Sequence, residues 1–155
     1  MSKYFPMTIL EFSLDLPAQP NQLMKLTEDY ENLPKYLPDQ LKSVRIIEKN
    51  ETETKTEETV VFSTLIKKKI IQQALHKKIS DNKLNTEIIS GPAKGTMIYI
   101  IFETNNSGSK VIIETDLKLI LKAKILLPLI KKFYKIAITS VLYKMNNMII
   151  ESETT

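Results

Sequence analysis

Few side chains in this sequence could carry out chemistry, and they do not form a known catalytic motif. His76 is the only histidine, so a histidine-based triad or a His-rich metal site would lack its other members. The alternation of its strand places it on the face opposite Leu75, as a solvated or structural residue. Cysteine is absent, which excludes disulfides, thiolate metal sites and cysteine nucleophiles. We therefore predict no catalytic residue, no metal site and no cofactor.

Acidic and phenolic side chains would need a pocket in order to act on a ligand. Glu103, Glu114 and Asp116 could form an acid–base cluster if burial raised a pKa, but strand alternation predicts that they face solvent. The hydroxyls of three tyrosines could also contact a ligand, although aromatic residues at such positions are usually core. These tyrosines are Tyr99, Tyr134 and Tyr143. No glycine-rich phosphate loop and no metalloprotease or hydrolase motif is present.

Arg45 is the single arginine in a chain of formal net charge +4. The turn at residues 50–53 can be counted in two ways, one placing Val44 and Ile46 inside and the other Arg45 and Ile47. An inward Arg45 would bind a carboxylate or carbonyl of a ligand, whereas an outward one would pair with nearby glutamates. The almost all-lysine positive charge argues against specific nucleic-acid recognition, for which arginine is the usual residue.

The elements that position these side chains belong to one predicted domain of 155 residues, with a polar, frayed tail after about residue 151. The chain is 43% hydrophobic and 26% charged, which is typical of a globular domain. We predict no signal peptide, and the longest apolar stretch, near residues 117–130, is broken by lysines and too short to span a bilayer. We therefore expect a cytoplasmic protein.

Alternating polar and apolar residues predict seven strands, with no helix between the last six. The predicted ranges are 8–15, 43–49, 54–66, 70–80, 84–90, 94–104 and 110–121. Such an order favours an antiparallel sheet. Two-residue turns at 67–68 and 81–82 would place Val60 and Ile88 opposite Leu75, and would pair Phe62 with Gln73. A loop at 105–109 would pair Phe102 with Ile113.

Prolines delimit two short predicted helices between the first and second strands. Pro20 fits a first helical turn, Pro34 should end the first helix by Leu33, and Pro38 should end the next turn. A long helix is predicted over about residues 122–151, with Pro128 tolerated near its start. One arc of this helix carries lysines together with Asn146. The opposite, wide apolar arc carries Leu126, Leu129, Ile130, Phe133, Ala137, Val141 and Met148.

Residues 15–38 resemble the opening of the START-like superfamily, which includes polyketide cyclases and dehydratases, coenzyme-Q-binding proteins and the birch-pollen allergen group. The matching residues are Pro17, Ala18, Leu23, Met24, Asp29 and the run Glu31 to Pro38, with Ser43, Val44, Gly91, Pro92 and Gly95 further on. The resemblance extends over about residues 8–151. It implies an α+β helix-grip fold: a seven-stranded curved antiparallel sheet around a long C-terminal helix, with two short helices between strands 1 and 2.

The same resemblance implies a mostly apolar cavity that opens beside the two short helices. The expected function is binding or transport of a small hydrophobic ligand, such as a lipid, a quinone or a polyketide-like molecule. The candidate ligand-binding residues are Tyr36, Leu37, Arg45, Phe62, Leu75, Ile100, Phe102, Ile113, Leu117, Leu129, Phe133 and Ala137.

Two other functions stay open. A cyclase or dehydratase type of enzyme would need polar side chains inside the cavity, drawn from Arg45, Gln73, Tyr99 and Glu103. A protein-interaction module would use the extra apolar helix surface, which would also allow a homodimer. The lysines would favour peripheral contact with an anionic membrane surface.

Overall fold

Seven antiparallel strands form one curved sheet in this computed structural model, which describes residues 8–61, 69–119 and 125–154. The strands are β1 (Thr8–Leu16), β2 (Leu41–Lys49), β3 (Glu53–Val61), β4 (Lys69–Ser80), β5 (Lys83–Ile88), β6 (Met97–Asn105) and β7 (Gly108–Leu117). Their order in the sheet is β1-β7-β6-β5-β4-β3-β2. The seven predicted strands are therefore found, although the predicted turn at 67–68 lies outside the described residues.

In the described ranges, three helices pack against this sheet. They are α1 (Pro20–Thr27), a 3-10 helix (Tyr30–Tyr36) and α2 (Leu127–Glu153). Pro20 and Pro128 lie in first turns, as predicted. Pro34 does not end a helix at Leu33, because it lies inside the 3-10 helix, where its fixed φ fits and its carbonyl accepts the N–H of Leu37 at 3.2 Å. No helix in the described ranges is long and apolar enough to cross a bilayer.

The face that α2 buries differs from the predicted apolar arc. Leu129 is 47% exposed and Met148 is exposed as well, whereas Asn146, expected among the lysines, is buried. Counting about 100° per residue gives the angles between side chains but not the direction in which the helix faces. That direction is set by packing against α1, the 3-10 helix and β1. The main core consists of Leu16, Ala18, Leu23, Met24, Tyr36, Leu84, Phe102, Val111, Ile113, Leu142, Met145 and Ile149.

A bulge in β4 reverses the predicted facing of that strand. The turn at 81–82 is present and pairs Ser80 with Lys83, but the register then shifts, so that Lys78 pairs with Leu84 and Ala74 with Ile88. The extra residue is Ile79, which is exposed. A shift of one residue exchanges the two faces of a strand. The prediction that Leu75 faces inward is therefore wrong.

Two other predicted strand pairings also differ from those in the structure. In β3, Val60 pairs with Ile70 rather than with Leu75. Between β6 and β7, Phe102 pairs with Val111 rather than with Ile113, a shift of two residues that leaves the predicted inner face unchanged.

The open question about β2 is settled by its pairing with β3. A register irregularity lies between Ile46 and Glu48, and Val44 pairs with Glu58 on the inner face. Arg45 pairs with Glu57 and points outward, so its predicted inward alternative is wrong.

Candidate ligand cavity

A cavity of about 210 Å³ lies between the inner face of the sheet, the short helices and the first half of α2. It is larger than an apolar cavity of about 150 Å³ that holds benzene, and smaller than the roughly 300–1,000 Å³ of sites for drug-sized ligands. Its size suits one ring or a short chain. The lining side chains are Thr27, Tyr30, Leu33, Leu37, Gln40, Leu41, Glu58, Val60, Gln72, Thr86, Ile88, Ile98, Ile100, Phe133, Tyr134, Ala137, Ile138, Val141 and Leu142.

One polar group of side chains interrupts this mostly apolar lining. It consists of Thr56, Glu58, Gln72, His76 and Thr86 from β3, β4 and β5, and is called the Glu58 cluster below. The strand pairings place Glu58 opposite Gln72 and His76 opposite Thr86, with Thr56 opposite Ala74 between them. Gln72 Nε2 donates to Glu58 Oε1 at 2.9 Å, and Thr56 Oγ1 donates to Glu58 Oε2 at 3.1 Å.

His76 completes the cluster behind the cavity lining. Its Nε2 lies 2.9 Å from Thr56 Oγ1 and 3.6 Å from Glu58 Oε2, and its Nδ1 lies 2.7 Å from Thr86 Oγ1. Because the single hydroxyl proton of Thr56 is directed to Glu58, Nε2 carries a proton and donates to Thr56. At Nδ1, the hydroxyl of Thr86 can either donate or accept. His76 is therefore held by a hydrogen bond at each ring nitrogen.

Burial gives the cluster its electrostatic character. The side chains of His76 and Glu58 are 5% and 12% exposed, and the ring of Tyr30 stacks on the imidazole at 4.0 Å with an angle of 18° between the planes. Burial raises the pKa of Glu58, but hydrogen bonds from His76, Gln72 and Thr56, together with the charge of His76, lower it to below its ordinary value. Glu58 is therefore a carboxylate at neutral pH.

The tyrosines around the cavity stay neutral. Burial, and to a lesser extent the Glu58 carboxylate, raises the pKa of Tyr134 to about 12. Burial, with a smaller contribution from Glu28, likewise raises the pKa of Tyr30 well above its ordinary value. Both phenols can donate or accept hydrogen bonds across the physiological range. Within the described ranges, no group of three or more acidic or histidine side chains is placed to hold a metal ion.

Four of the twelve candidate ligand-binding residues line the cavity. They are Leu37, Ile100, Phe133 and Ala137. As ligand contacts they stay predictions. Four others are buried in the core without lining the cavity: Tyr36, Phe102, Ile113 and Leu117.

The remaining candidates lie elsewhere. Leu75 faces away from the cavity because of the β4 bulge, and Leu129, one turn before the cavity-lining Phe133, is exposed. Arg45 forms an exposed ion pair with Glu57 at 3.1 Å. Phe62 is outside the described residues. The polar residues named for an enzyme, Arg45, Gln73, Tyr99 and Glu103, also face away from the cavity.

The Glu58 cluster was not found from the sequence because the face of β4 that looks more apolar is the outer one. The outer face of β4 carries the large apolar residues Ile71, Leu75 and Ile79, whereas the inner face carries Gln72, Ala74 and His76. Alternation alone favours burial of the larger apolar set. The bulge at the exposed Ile79 places the smaller, more polar set inside instead, and nothing in the local sequence marks this bulge.

A curved antiparallel sheet that holds a long helix over an internal cavity defines the helix-grip class of proteins. A sequence profile described as polyketide cyclase / dehydrase and lipid transport matches residues 16–145. The chain belongs to this family, within the START-like superfamily. A comparison with curated proteins finds no match.

Solved structures show the same fold at low sequence identity. TTHA0849 from Thermus thermophilus is 18% identical with a TM-score of 0.76, over 95% of this chain and 99% of that one. The Zhui aromatase/cyclase from a Streptomyces species is 10% identical with a TM-score of 0.80, over 92% and 96%. A START superfamily protein from Mycobacterium smegmatis is 11% identical with a TM-score of 0.74, over 92% and 97%. At these identities the similarity establishes the fold alone.

Proposed function

We propose that the protein binds a small hydrophobic molecule in the cavity between the sheet and α2. The observation that carries this proposal is the cavity of about 210 Å³ with its mostly apolar lining. Apolar ligand surface removed from water contributes about 25 cal/mol per Å² to the free energy of binding. A preformed apolar cavity can therefore bind a small hydrophobic molecule. Membership of a cyclase and lipid transport family supports the same function. A lipid, quinone or polyketide-like ligand would place one ring or a short segment inside.

Ligand retention and ligand uptake both test this function. Native mass spectrometry of protein purified without organic extraction should detect an apolar molecule at a one-to-one ratio. Ligand-free protein should take up small monocyclic probes saturably, with slow exchange or clear shifts in the methyl NMR signals of Val60, Ile88 and Ile100. Absence of both a retained molecule and saturable uptake would overturn the proposal.

A second candidate function is acid–base catalysis, and the Glu58–His76 pair is the observation that favours it. His76 Nδ1 lies 2.7 Å from the hydroxyl of Thr86, which lines the cavity, so the imidazole is placed to act through this hydroxyl. General bases contribute about 10²–10⁴-fold to a rate. The similarity in fold to an aromatase/cyclase is consistent with this candidate.

A simple proton abstraction tests the enzyme candidate. A 1,3-diketone in D₂O loses the proton between its carbonyls to a base, and the carbon then takes up a deuteron. We expect the wild type to accelerate this exchange above buffer and His76→Asn not to do so. A wild-type rate equal to that of buffer would exclude the candidate.

Contact with an anionic membrane and contact with a second copy of the chain both stay predictions. Leu129, Ile136 and Tyr143 are exposed along α2, next to exposed Lys132 and Lys135. This pattern supports contact with an anionic membrane or with a second copy of the chain. Sedimentation with anionic and neutral vesicles would detect the first, and the concentration dependence of the molar mass would detect the second.

A further inference from the structure

We propose that the cavity selects an apolar molecule that carries an uncharged hydroxyl group, and that Glu58 and Gln72 bind this hydroxyl. The inference rests on the proposed function, since it names the chemical class of ligand for the same cavity. The polar recognition site consists of residues of β3 and β4 that face a mostly apolar space.

Glu58 has unused capacity to accept a hydrogen bond. Its Oε2 faces Thr56 at 3.1 Å and His76 at 3.6 Å, whereas among the described residues its Oε1 accepts from Gln72 alone, at 2.9 Å. An ionised carboxylate offers about four acceptor positions. Because Glu58 lines the cavity, the free position on Oε1 is available to a donor on a ligand.

Gln72 supplies the complementary half of the site. Its side-chain amide has two N–H groups, and within the described part of the chain only one bond from this nitrogen is formed, to Glu58. Gln72 also lines the cavity. A hydroxyl group both donates and accepts, so it can donate to Glu58 Oε1 and accept from Gln72 Nε2 at once. A carbonyl could use only Gln72, and would leave the Glu58 carboxylate without a new partner.

The charge of the lining disfavours anionic ligands. Among the described lining residues Glu58 is the one acid, and there is no lysine, arginine or histidine. A carboxylate or phosphate inside the cavity would approach the Glu58 carboxylate with no cation in the described lining to pair with, since His76 lies behind the lining and already contacts Glu58, and such an approach is unfavourable at low dielectric. The polar end of a fatty acid or phospholipid is therefore the wrong chemistry for this site.

Three probes with one shared body test this selectivity on the ligand-free wild type. They are 4-ethylphenol, 4-ethyltoluene and 4-ethylbenzoate, which differ in carrying a hydroxyl, a methyl or a carboxylate. An unsatisfied buried hydroxyl should make the phenol about tenfold or more weaker than the hydrocarbon. We expect the phenol to bind at least as tightly as the hydrocarbon, and the benzoate at least about 100-fold more weakly than the phenol.

A matched pair of variants assigns the effect to Glu58. Glu58→Gln removes the charged acceptor and should lower the phenol-to-hydrocarbon affinity ratio roughly tenfold. Glu57→Gln makes the same change on the outward face of the same strand and should leave the ratio unchanged. If Glu58→Gln fails to fold, the phenol-to-hydrocarbon affinity ratio of the wild type alone tests the hydroxyl selectivity.

The outcomes separate the two proposals. If none of the probes binds, cavity binding itself is overturned. If the hydrocarbon binds about tenfold more tightly than the phenol, or the benzoate binds as tightly as the phenol, cavity binding stands and the hydroxyl selectivity is overturned. An affinity ratio that is the same in the wild type and in folded Glu58→Gln would also overturn it.

Discussion

The side chain of Asn146 accepts a hydrogen bond from the backbone N–H of Ala18 at 2.8 Å, across 128 positions in the sequence. Ser109 Oγ donates to the carbonyl of the same Ala18 at 2.6 Å. Ala18 is only 1% exposed, and both of its backbone polar groups are satisfied by side chains, as buried groups require. The junction between β1 and α1 is thereby attached to α2 on one side and to β7 on the other.

Replacement of Asn146 should destabilise the protein. Asn146→Ala leaves the N–H of Ala18 buried without an acceptor, so we expect a loss of about 1–3 kcal/mol in the free energy of unfolding. Urea denaturation measures this loss. Asn147→Ala, at the exposed neighbouring position, is the control and should change stability by less than about 0.5 kcal/mol. Equal stability of the two variants would contradict the role of Asn146.

Gly108 should tolerate alanine less well than Gly95 does. Both have positive φ, +149° and +95°, which alone costs an alanine about 1–3 kcal/mol. A Cβ at Gly108 would also overlap the backbone carbonyl oxygens of Leu16 and Pro17, whereas at Gly95 it would meet the flexible side chain of Lys118. We expect Gly108→Ala to lower the melting temperature several degrees more than Gly95→Ala. The reverse order in thermal denaturation would refute this account.

Glu58 should make stability depend on acidic pH. Its pKa in the folded state lies below the ordinary value of 4.5, so the unfolded chain binds the proton more readily. The ionised form therefore stabilises the fold above about pH 4.5, and this stabilisation is lost as pH falls through the lower folded-state pKa. Urea denaturation from pH 3 to pH 6 should show a shallower pH dependence for Glu58→Gln than for the wild type. Glu57→Gln, which keeps Glu58, should retain the Glu58 contribution.

Tyr134 should make stability depend on alkaline pH. Burial and Glu58 raise its pKa from 10.0 to about 12, so the neutral phenol is favoured in the folded state. Its contribution is present below pH 10 and is lost as pH rises from about 10 to 12. In an ultraviolet titration, the difference between the wild type and Tyr134→Phe should appear only above about pH 11. A tyrosinate signal from Tyr134 near pH 10 would show that the phenol is not buried.

A larger side chain at Ala137 should block the cavity. Ala137 lines it from α2, and leucine there adds three carbon atoms to the available space. We expect Ala137→Leu to weaken binding of a monocyclic probe at least about tenfold, with stability unchanged or raised, because filling a cavity recovers about 24 cal/mol per Å³. Ile136→Leu, at an exposed neighbouring position, is the control. Undiminished binding by folded Ala137→Leu would place the ligand elsewhere.

Much of the fold could be predicted from local patterns. Alternation identified the strands, Pro20 marked a helix start and Pro128 was expected in a first helical turn. The resemblance in residues 15–38 predicted the helix-grip fold that the structure confirms. The 3-10 helix was less predictable, since Pro34 lies within it rather than at its end. Prolines constrain their own φ and the preceding residue, but the choice between α and 3-10 geometry depends on packing.

The candidate site was predicted less well. Leu37, Ile100, Phe133 and Ala137 line the cavity, and their contact with a ligand stays a prediction. The polar residues Glu58, Gln72 and His76 were not found, because their facing depends on how β4 pairs with its neighbours.

The sequence by itself determined which segments are strands and helices, because these properties depend on local periodicity and on prolines, and the resemblance of residues 15–38 implied the helix-grip type. Tertiary structure alone decided which face of β4 lines the cavity. An alternating strand has two phases of similar local energy, and a bulge of one residue at Ile79 exchanges them. The choice depends on pairing energies summed over neighbouring strands. That choice places His76, predicted to be a solvated or structural residue, beside a buried carboxylate.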